Sequence, residues 1–314
     1  MQTRKLGLTN LDIPVIGLGA MFIGAPVSDA PSELDEDLAA DTVVAAIEAG
    51  STFIDTAPVY GRFASERIIG RVLKERPDLA KKTTIVSKVG SKAGQKDYSY
   101  DAIMRDVEGS QERLGIERFD LMSIHDAMGH PIEQVLAKDG ALGALRKLQD
   151  EGIVRYIGSA MNDPRTNEPY LETGAFDVAV VPNAWSLLNR IAEERIFPAA
   201  KKHEFGILLA TPFERGLLAK GAKSGAYFHR RNFSDECLSH VAEIETLCEK
   251  YGVSLATVAL QYVLRQPQVT AVIPGARTPE EAVQNAKASE TEIPEAFWSE
   301  LTPTLRHWEA GVHR

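Results

Sequence analysis

The sequence predicts an α/β chain folded as a single (β/α)8 barrel, a TIM barrel, with loop insertions at the C-terminal face of its strands. Short apolar or β-branched runs alternate with amphipathic stretches of helical period, and the alternation never lapses into a run of one type. Eight such strand–helix units can be traced. The 314 residues are enough for about two average domains. No Ser/Gly-rich or charge-run linker divides them, whereas one barrel of about 250 residues plus insertions holds them all. One domain over residues 1–314 is therefore expected.

The first unit pairs a strand over Pro14–Gly19 with a helix over Glu36–Glu48, separated by an insertion at Ala25–Glu36. Thr52–Thr56 and Ser65–Leu73 form the second. In the third, the strand Thr83–Lys88 leads to the helix Tyr100–Leu114, opened by Ser99 or Asp101 and closed by Gly115. Asp120–His125, an insertion at Ala127–Lys138 and the helix Leu142–Asp150, closed by Gly152, make the fourth. Val154–Gly158 with Thr166–Thr173, and Val178–Pro182 with Glu193–Lys202, are the fifth and sixth. The seventh strand, Gly206–Ala210, precedes an insertion at Glu214–Asp235 and an extra helix, Asp235–Tyr251, before its own helix Leu255–Arg265. Thr270–Pro274 and Glu280–Lys287 complete the set, with Pro279 in the first helical turn, where its missing N–H costs nothing.

Composition narrows the function. Apolar residues make up 44% and charged residues 25%, which excludes disorder, collagen and coiled coil as the main class. A net charge of −9 repels nucleic-acid phosphates and anionic membrane surfaces, so neither partner is expected. The apolar run Ile13–Val27 is too short to span a membrane, and its Pro and Gly residues suit a strand entering a loop. Cys237 and Cys248 form no CxxC and have no His pair nearby, so no disulfide or metal site is expected. Two thiols packed on one helix face in a reducing cytoplasm fit better.

In such a barrel, ionisable residues at the C-terminal ends of inward-facing strands face the active-site mouth. Asp55, Lys88 and His125 end apolar runs in units two, three and four, and Tyr60 comes next after Asp55 in the loop PVYG. Singly, each has a plainer reading: a helix cap, a solvated surface charge or a packed core histidine. Together they suit proton transfer. Lowering a phenol by about 3 pKa units needs roughly 4 kcal/mol, and an ammonium about 4 Å away supplies that order at an effective dielectric near 20. Lys88 is thus expected to lower Tyr60, Asp55 to hold Lys88, and His125 to orient a carbonyl oxygen.

The segments RKLGLTNLDIPVIGLGAM, FIDTAPVYGRFASERIIGRVL, IVSKVG, RDVEGSQERLGIERFDLMSIH, EGIVRYIGSAMN, AWSLLNR, TPFERGLL and VIPGARTPEEAVQN resemble the aldo-keto reductase superfamily over nearly the whole chain. The resemblance implies a nicotinamide-dependent oxidoreductase on a barrel, with Tyr60 as general acid or base beside Lys88, Asp55 and His125. It also implies that Gly19, Ala20 and Met21 lie near nicotinamide and substrate, and that Thr211, Pro212, Phe213, Arg215, Gly216 and Leu217 belong to the loop over the pyrophosphate. Asn162 and Asn183 would hold the carboxamide. Gly275, Arg277, Glu281, Gln284 and Asn285 would lie at the adenosine end.

The chain departs from the family pattern in several places. Met161 stands where Ser commonly precedes the Asn, Pro182 where Gln is usual, and Ala210 where an aromatic often stacks on nicotinamide. Gly275, Ala276 and Glu281 replace the cations that bind a 2′-phosphate, and a carboxylate suits a 2′-hydroxyl instead. This favours NAD, while Arg277 leaves NADP open. The segment DYSYDAIMRDVEGSQERLG, with the Met-Asn variant and the missing aromatic, looks most like the aldose 1-dehydrogenase branch, whose members act on L-fucose, L-galactose or D-arabinose, with relatives acting on pyridoxal. That branch implies a sugar or aldehyde substrate, oxidised at its anomeric carbon to a lactone.

Rival readings have less support. Gly17-Leu18-Gly19 does not complete a dinucleotide fingerprint, because Phe22 takes the third glycine's place. A barrel glycosidase would need paired carboxylates, for which Asp55 and Asp126 are the candidates, but it leaves Tyr60, Lys88 and His125 without roles. A cofactor-sensing subunit of the kind this superfamily includes would need a partner segment, and none is evident. The small basic patch at Arg230 and Arg231 reads as a solvated loop.

Overall fold

The computed structural model describes residues 1–24, 34–92, 94–224, 227–228 and 231–308. Eight parallel strands run in the predicted order: β1 Leu18–Gly19, β2 Phe53–Asp55, β3 Thr84–Val89, β4 Phe119–His125, β5 Val154–Ala160, β6 Val178–Val181, β7 Gly206–Leu209 and β8 Val269–Val272. Each is hydrogen-bonded to the next. The ring closes where Gly17 N–H donates to Val272 O (2.9 Å) and Gly19 N–H to Pro274 O (2.9 Å). This is the (β/α)8 barrel that the alternation predicts.

Strand side chains alternate between the two faces of the barrel wall. Phe53, Val86, Leu121, Val178, Val180, Leu208, Ala271 and Ile273 fill the interior. Their neighbours Ile54, Ile85 and Met122, or Ala179, Ile207 and Val272, pack outward under the helices. At a polar outward position, Ser87 Oγ donates to Glu66 Oε1 (2.6 Å), and Arg113 Nε donates to the other oxygen of that fully buried carboxylate (2.7 Å). Strand, the helix Ala64–Glu75 and the helix Tyr100–Leu114 meet at this point.

Where the structure differs from expectation, the causes are local. The strand expected over 14–19 divides: Asp12–Pro14 pairs antiparallel with Thr3–Lys5, which leaves only Leu18–Gly19 as the barrel strand. The hairpin caps the bottom of the barrel, placing Leu6, Leu11 and Ile13 among the interior residues. The helix expected over 193–202 breaks into Ala192–Arg195 and Phe197–His203, since proline in the first turn of the second piece has no N–H to continue the first. A further helix, Glu295–Leu301, packs Phe297 edge-on against Tyr251 (centroids 5.5 Å apart). The insertion after β4 carries one short helical turn, Ile132–Val135. Residues 25–33 of the first insertion and 225–226 and 229–230 of the third, including Arg230 of the basic patch, lie outside the described residues.

Cys237 and Cys248 are free and buried on the helix Asp235–Tyr251, and burial pushes their thiols up to about 11 and about 12. Among the described residues, no helix is long and apolar enough to cross a membrane. Gly7 is the tightest seat of the bottom hairpin: its φ is +55° and a Cβ there would stand 2.2 Å from Gly206 N. Gly7→Ala therefore lifts the hairpin off β7 and is expected to lower stability by about 2 kcal/mol. Urea unfolding of the two proteins checks this, and equal midpoints would count against it.

Candidate active site

The inward parity continues past the apolar interior into polar residues. Two positions beyond Phe53 stands Asp55, two beyond Val86 stands Lys88, and four beyond Leu121 stands His125. Lys88 pairs with Ser123 and Asp55 with Val86 across the sheet, so these strand ends converge at one mouth. Tyr60 arrives from the turn after β2, where its N–H donates to Ala57 O (3.1 Å) just before the helix Ala64–Glu75 begins.

Lys88 Nζ donates to Asp55 Oδ1 (2.6 Å) and to Thr56 O (2.8 Å), with both side chains almost wholly buried. It also lies 4.8 Å from the centroid of the Tyr60 ring, which meets the His125 imidazole edge-on at 6.0 Å. Burial pushes Asp55 up, opposed by Lys88. For Lys88, Asp55 and Tyr60 outweigh the burial that favours loss of the proton, so its ordinary value is raised and the ammonium is retained. His125 is held well below its usual range by burial, Lys88 and Lys96, which makes it a neutral imidazole.

Tyr60 departs from expectation. Burial of the phenol, reinforced by the negative charges of Asp55 and Asp126, outweighs the attraction of Lys88 and raises Tyr60 above its ordinary value near 10. Much of the Lys88 charge is already balanced by Asp55. The protein by itself keeps Tyr60 as a protonated acid.

These residues sit in a cavity of about 780 Å³. Every expected site residue lines it except Ala20, Asn183 and Leu217. Ala20 and Leu217 are packed in apolar clusters. Asn183 instead positions a neighbour: its Nδ2 donates to Asn162 Oδ1 (2.7 Å) and Asn162 O (3.0 Å), and Asn162 faces the cavity. Met161, in the place of the usual Ser, is buried and accepts from Ala127 N–H through Sδ (3.1 Å). In the loop after β7, Thr211, Glu214 and Arg215 all have positive φ (56°, 46° and 62°), and Ser186 Oγ holds the buried Glu214 carboxylate (2.5 Å). Strain of this kind persists where surrounding contacts fix the backbone.

Farther along, the cavity is lined by Arg215, Lys220, Arg277 and Lys287, a local excess of cations in a chain of net charge −9. Glu281 accepts from Arg277 N–H through Oε2 (2.8 Å), and the Arg277 guanidinium lies 5.2 Å from the Phe22 ring. A long cavity with glycines Gly19, Gly216 and Gly275 on its wall, amides at one end and cations at the other fits a dinucleotide. Among the described residues, no group of three or more His, Cys, Asp or Glu is arranged to hold a metal.

Sequence reasoning missed Phe22, Ser91, Lys220, Ser254 and Lys287, which lie in loops, at helix ends or, for Ser91, in a two-residue strand, where no periodicity marks them. It also gave Asp126 no part in this site. Alternation from His125 aims Asp126 outward, but its φ of +51° turns it back onto the cavity.

Comparison with known proteins agrees with this geometry. The sequence profile of the Aldo/keto reductase family matches residues 15–305. The chain is 29% identical to pyridoxal 4-dehydrogenase from Microbacterium luteolum, covering 96% of each chain, and 30% identical to D-threo-aldose 1-dehydrogenase from a Pseudomonas species, covering 93% of this chain and 94% of the other. Among solved structures, the aldo-keto reductase AKR11C1 from Bacillus halodurans in its holo form superposes with a TM-score of 0.79 over 98% of each chain, at 24% identity.

The neutral state of His125 has a measurable consequence. Unfolded, a histidine binds a proton near pH 6.5 that the folded chain does not bind, so this contribution to stability is present above pH 6.5 and lost as pH falls below it. His125→Gln should make the acid limb shallower by up to about 1.4 kcal/mol per pH unit. His240, also depressed by burial, contributes equally to both proteins and cancels. Urea unfolding between pH 7 and pH 5 measures the difference, and identical slopes would show that the imidazole is not held neutral.

Proposed function

The chain belongs to the aldo/keto reductase family and is an oxidoreductase; from that premise we propose that it is an NAD(P)-dependent aldose 1-dehydrogenase. The observation that carries the proposal is the convergence of Tyr60, Lys88, Asp55 and His125 at one end of a dinucleotide-sized cavity. The dehydrogenase names of two relatives aligned over nearly their full length support the oxidative direction. The substrate is a small sugar or aldehyde.

The substrate oxygen is held between Tyr60 Oη and His125, whose neutral ring can donate a hydrogen bond without carrying charge. When bound, the cofactor supplies the hydride acceptor at its C4 and, oxidised, a positive charge that favours the phenolate. In oxidation the anomeric C–H bond breaks with its electron pair, the hydroxyl proton passes to Tyr60, and the new C=O bond makes a lactone. In reduction Tyr60 returns the proton, the role that its raised pKa suits in the protein alone. Lys88 and Asp55 keep an ammonium beside the phenol throughout. Asn162, steadied by Asn183, would hold the nicotinamide carboxamide, and the loop that begins at Thr211 would hold the pyrophosphate.

Glu281 on the cavity wall favours the 2′-hydroxyl of NAD, and Arg277 permits some use of NADP. Two buried free thiols fit a reducing cytoplasm. Tyr60→Phe removes the proton carrier and is expected to lower kcat by at least about 100-fold while leaving the fluorescence titration with NAD within about twofold, since the ring stays in place. Normal turnover by this variant would refute the assignment. Glu281→Lys should shift the NAD/NADP ratio of kcat/KM toward NADP by about tenfold or more; an unmoved ratio would remove the argument for NAD.

A further inference from the structure

Asp126 borders the four catalytic residues; its charge helps raise Tyr60, but it carries no proton in the step proposed above. Its backbone is in the left-handed region, and three hydrogen bonds fix it there. The Asp126 N–H donates to Ala160 O (2.9 Å), its carbonyl accepts from Lys96 Nζ (2.7 Å), and Oδ1 accepts from Asn162 N–H (2.8 Å). The remaining oxygen, Oδ2, stands 3.8 Å from His125 Nε2, too far for a hydrogen bond between them, and both residues line the cavity. The side chain is 25% exposed. Burial pushes the carboxyl up, while the Asn162 N–H and the charges of Lys96, Lys88 and Arg215 oppose the shift.

A carboxylate oxygen held this firmly at a cavity wall is a hydrogen-bond acceptor prepared for a ligand. With the reacting oxygen at His125 Nε2, a group reaching Oδ2 belongs to the neighbouring carbon, because vicinal oxygens stand about one hydrogen-bond length apart. We infer that Asp126 is a specificity residue whose Oδ2 accepts the hydroxyl next to the reacting carbon, so that the chain selects α-hydroxy carbonyl compounds, and the matching aldoses, over their deoxy counterparts. This rests on the placement of the reacting oxygen proposed above, and it does not require that the substrate be a sugar.

The test compares two substrate pairs with the holoenzyme: reduction of lactaldehyde against propanal, and oxidation of D-arabinose against 2-deoxy-D-ribose. In each turned-over pair the wild type should favour the hydroxylated member in kcat/KM by about 10- to 100-fold, the range for a hydrogen bond to a charged acceptor. Asp126→Ala should bring that ratio close to one, chiefly through KM of the hydroxylated member. Asp126→Asn, which tolerates the left-handed backbone and keeps an acceptor for Asn162, should lower the ratio because its amide donates where Oδ2 accepts. A wild type without the preference overturns the inference. So does a folded variant that keeps it, since Asp126 would then act on both substrates alike through His125. Turnover of the aldehydes with no turnover of either sugar refutes the aldose reading alone, and the aldehyde pair still decides the role of Asp126.

Discussion

The ion pair between Lys88 and Asp55, buried at the end of the barrel interior, is the constraint on which the site depends. Two charges taken out of water are costly, and their attraction offsets that cost only with close geometry and further hydrogen bonds. The 2.6 Å contact and the additional bond to Thr56 O meet that demand. Removing either partner would leave an uncompensated charge in an apolar barrel. The pair therefore holds Lys88 charged, which helps keep His125 neutral and offers Tyr60 a cation whose effect is partly spent on Asp55.

The cavity differs along its length. Its inner end gathers titratable groups, with phenol, imidazole and ion pair within a few side chains of one another. Its outer end gathers positive charge, with four cations on a molecule that is acidic as a whole. Long-range attraction of an anionic ligand is weak for such a chain, so binding must come from the short-range field of those residues.

Most of the fold was legible because barrel strands impose a period of two and their helices a period near 3.6, and both periods mark the sequence directly. The helices Glu36–Glu48, Tyr100–Leu114 and Asp235–Tyr251 match expectation at both ends. The bottom hairpin was hidden because Leu6, Leu11 and Ile13 read as the approach to a strand, and only the barrel shows what they cover. Asp55, Lys88 and His125 could be found because strand ends have a predictable direction. Asp126 could not, since a single left-handed φ reverses what alternation implies. Nor does sequence order reveal that burial outweighs Lys88 at Tyr60, because that balance depends on everything packed around the phenol.

The polar contact on the outer face of β3 has a consequence of another kind. Ser87 lies beside Lys88 in the chain, and the two point to opposite sides of the wall, one toward Glu66 and the other toward Asp55. A slip of this strand by one residue would exchange them. Glu66 would lose its hydroxyl donor and face a misplaced ammonium, while Asp55 would lose its cation altogether. An apolar strand with Val or Ile at these positions could pair in either phase at similar free energy. The buried Asp55 carboxylate, left without its cation, disfavours the wrong alignment, so Lys88 also marks the register of the strand.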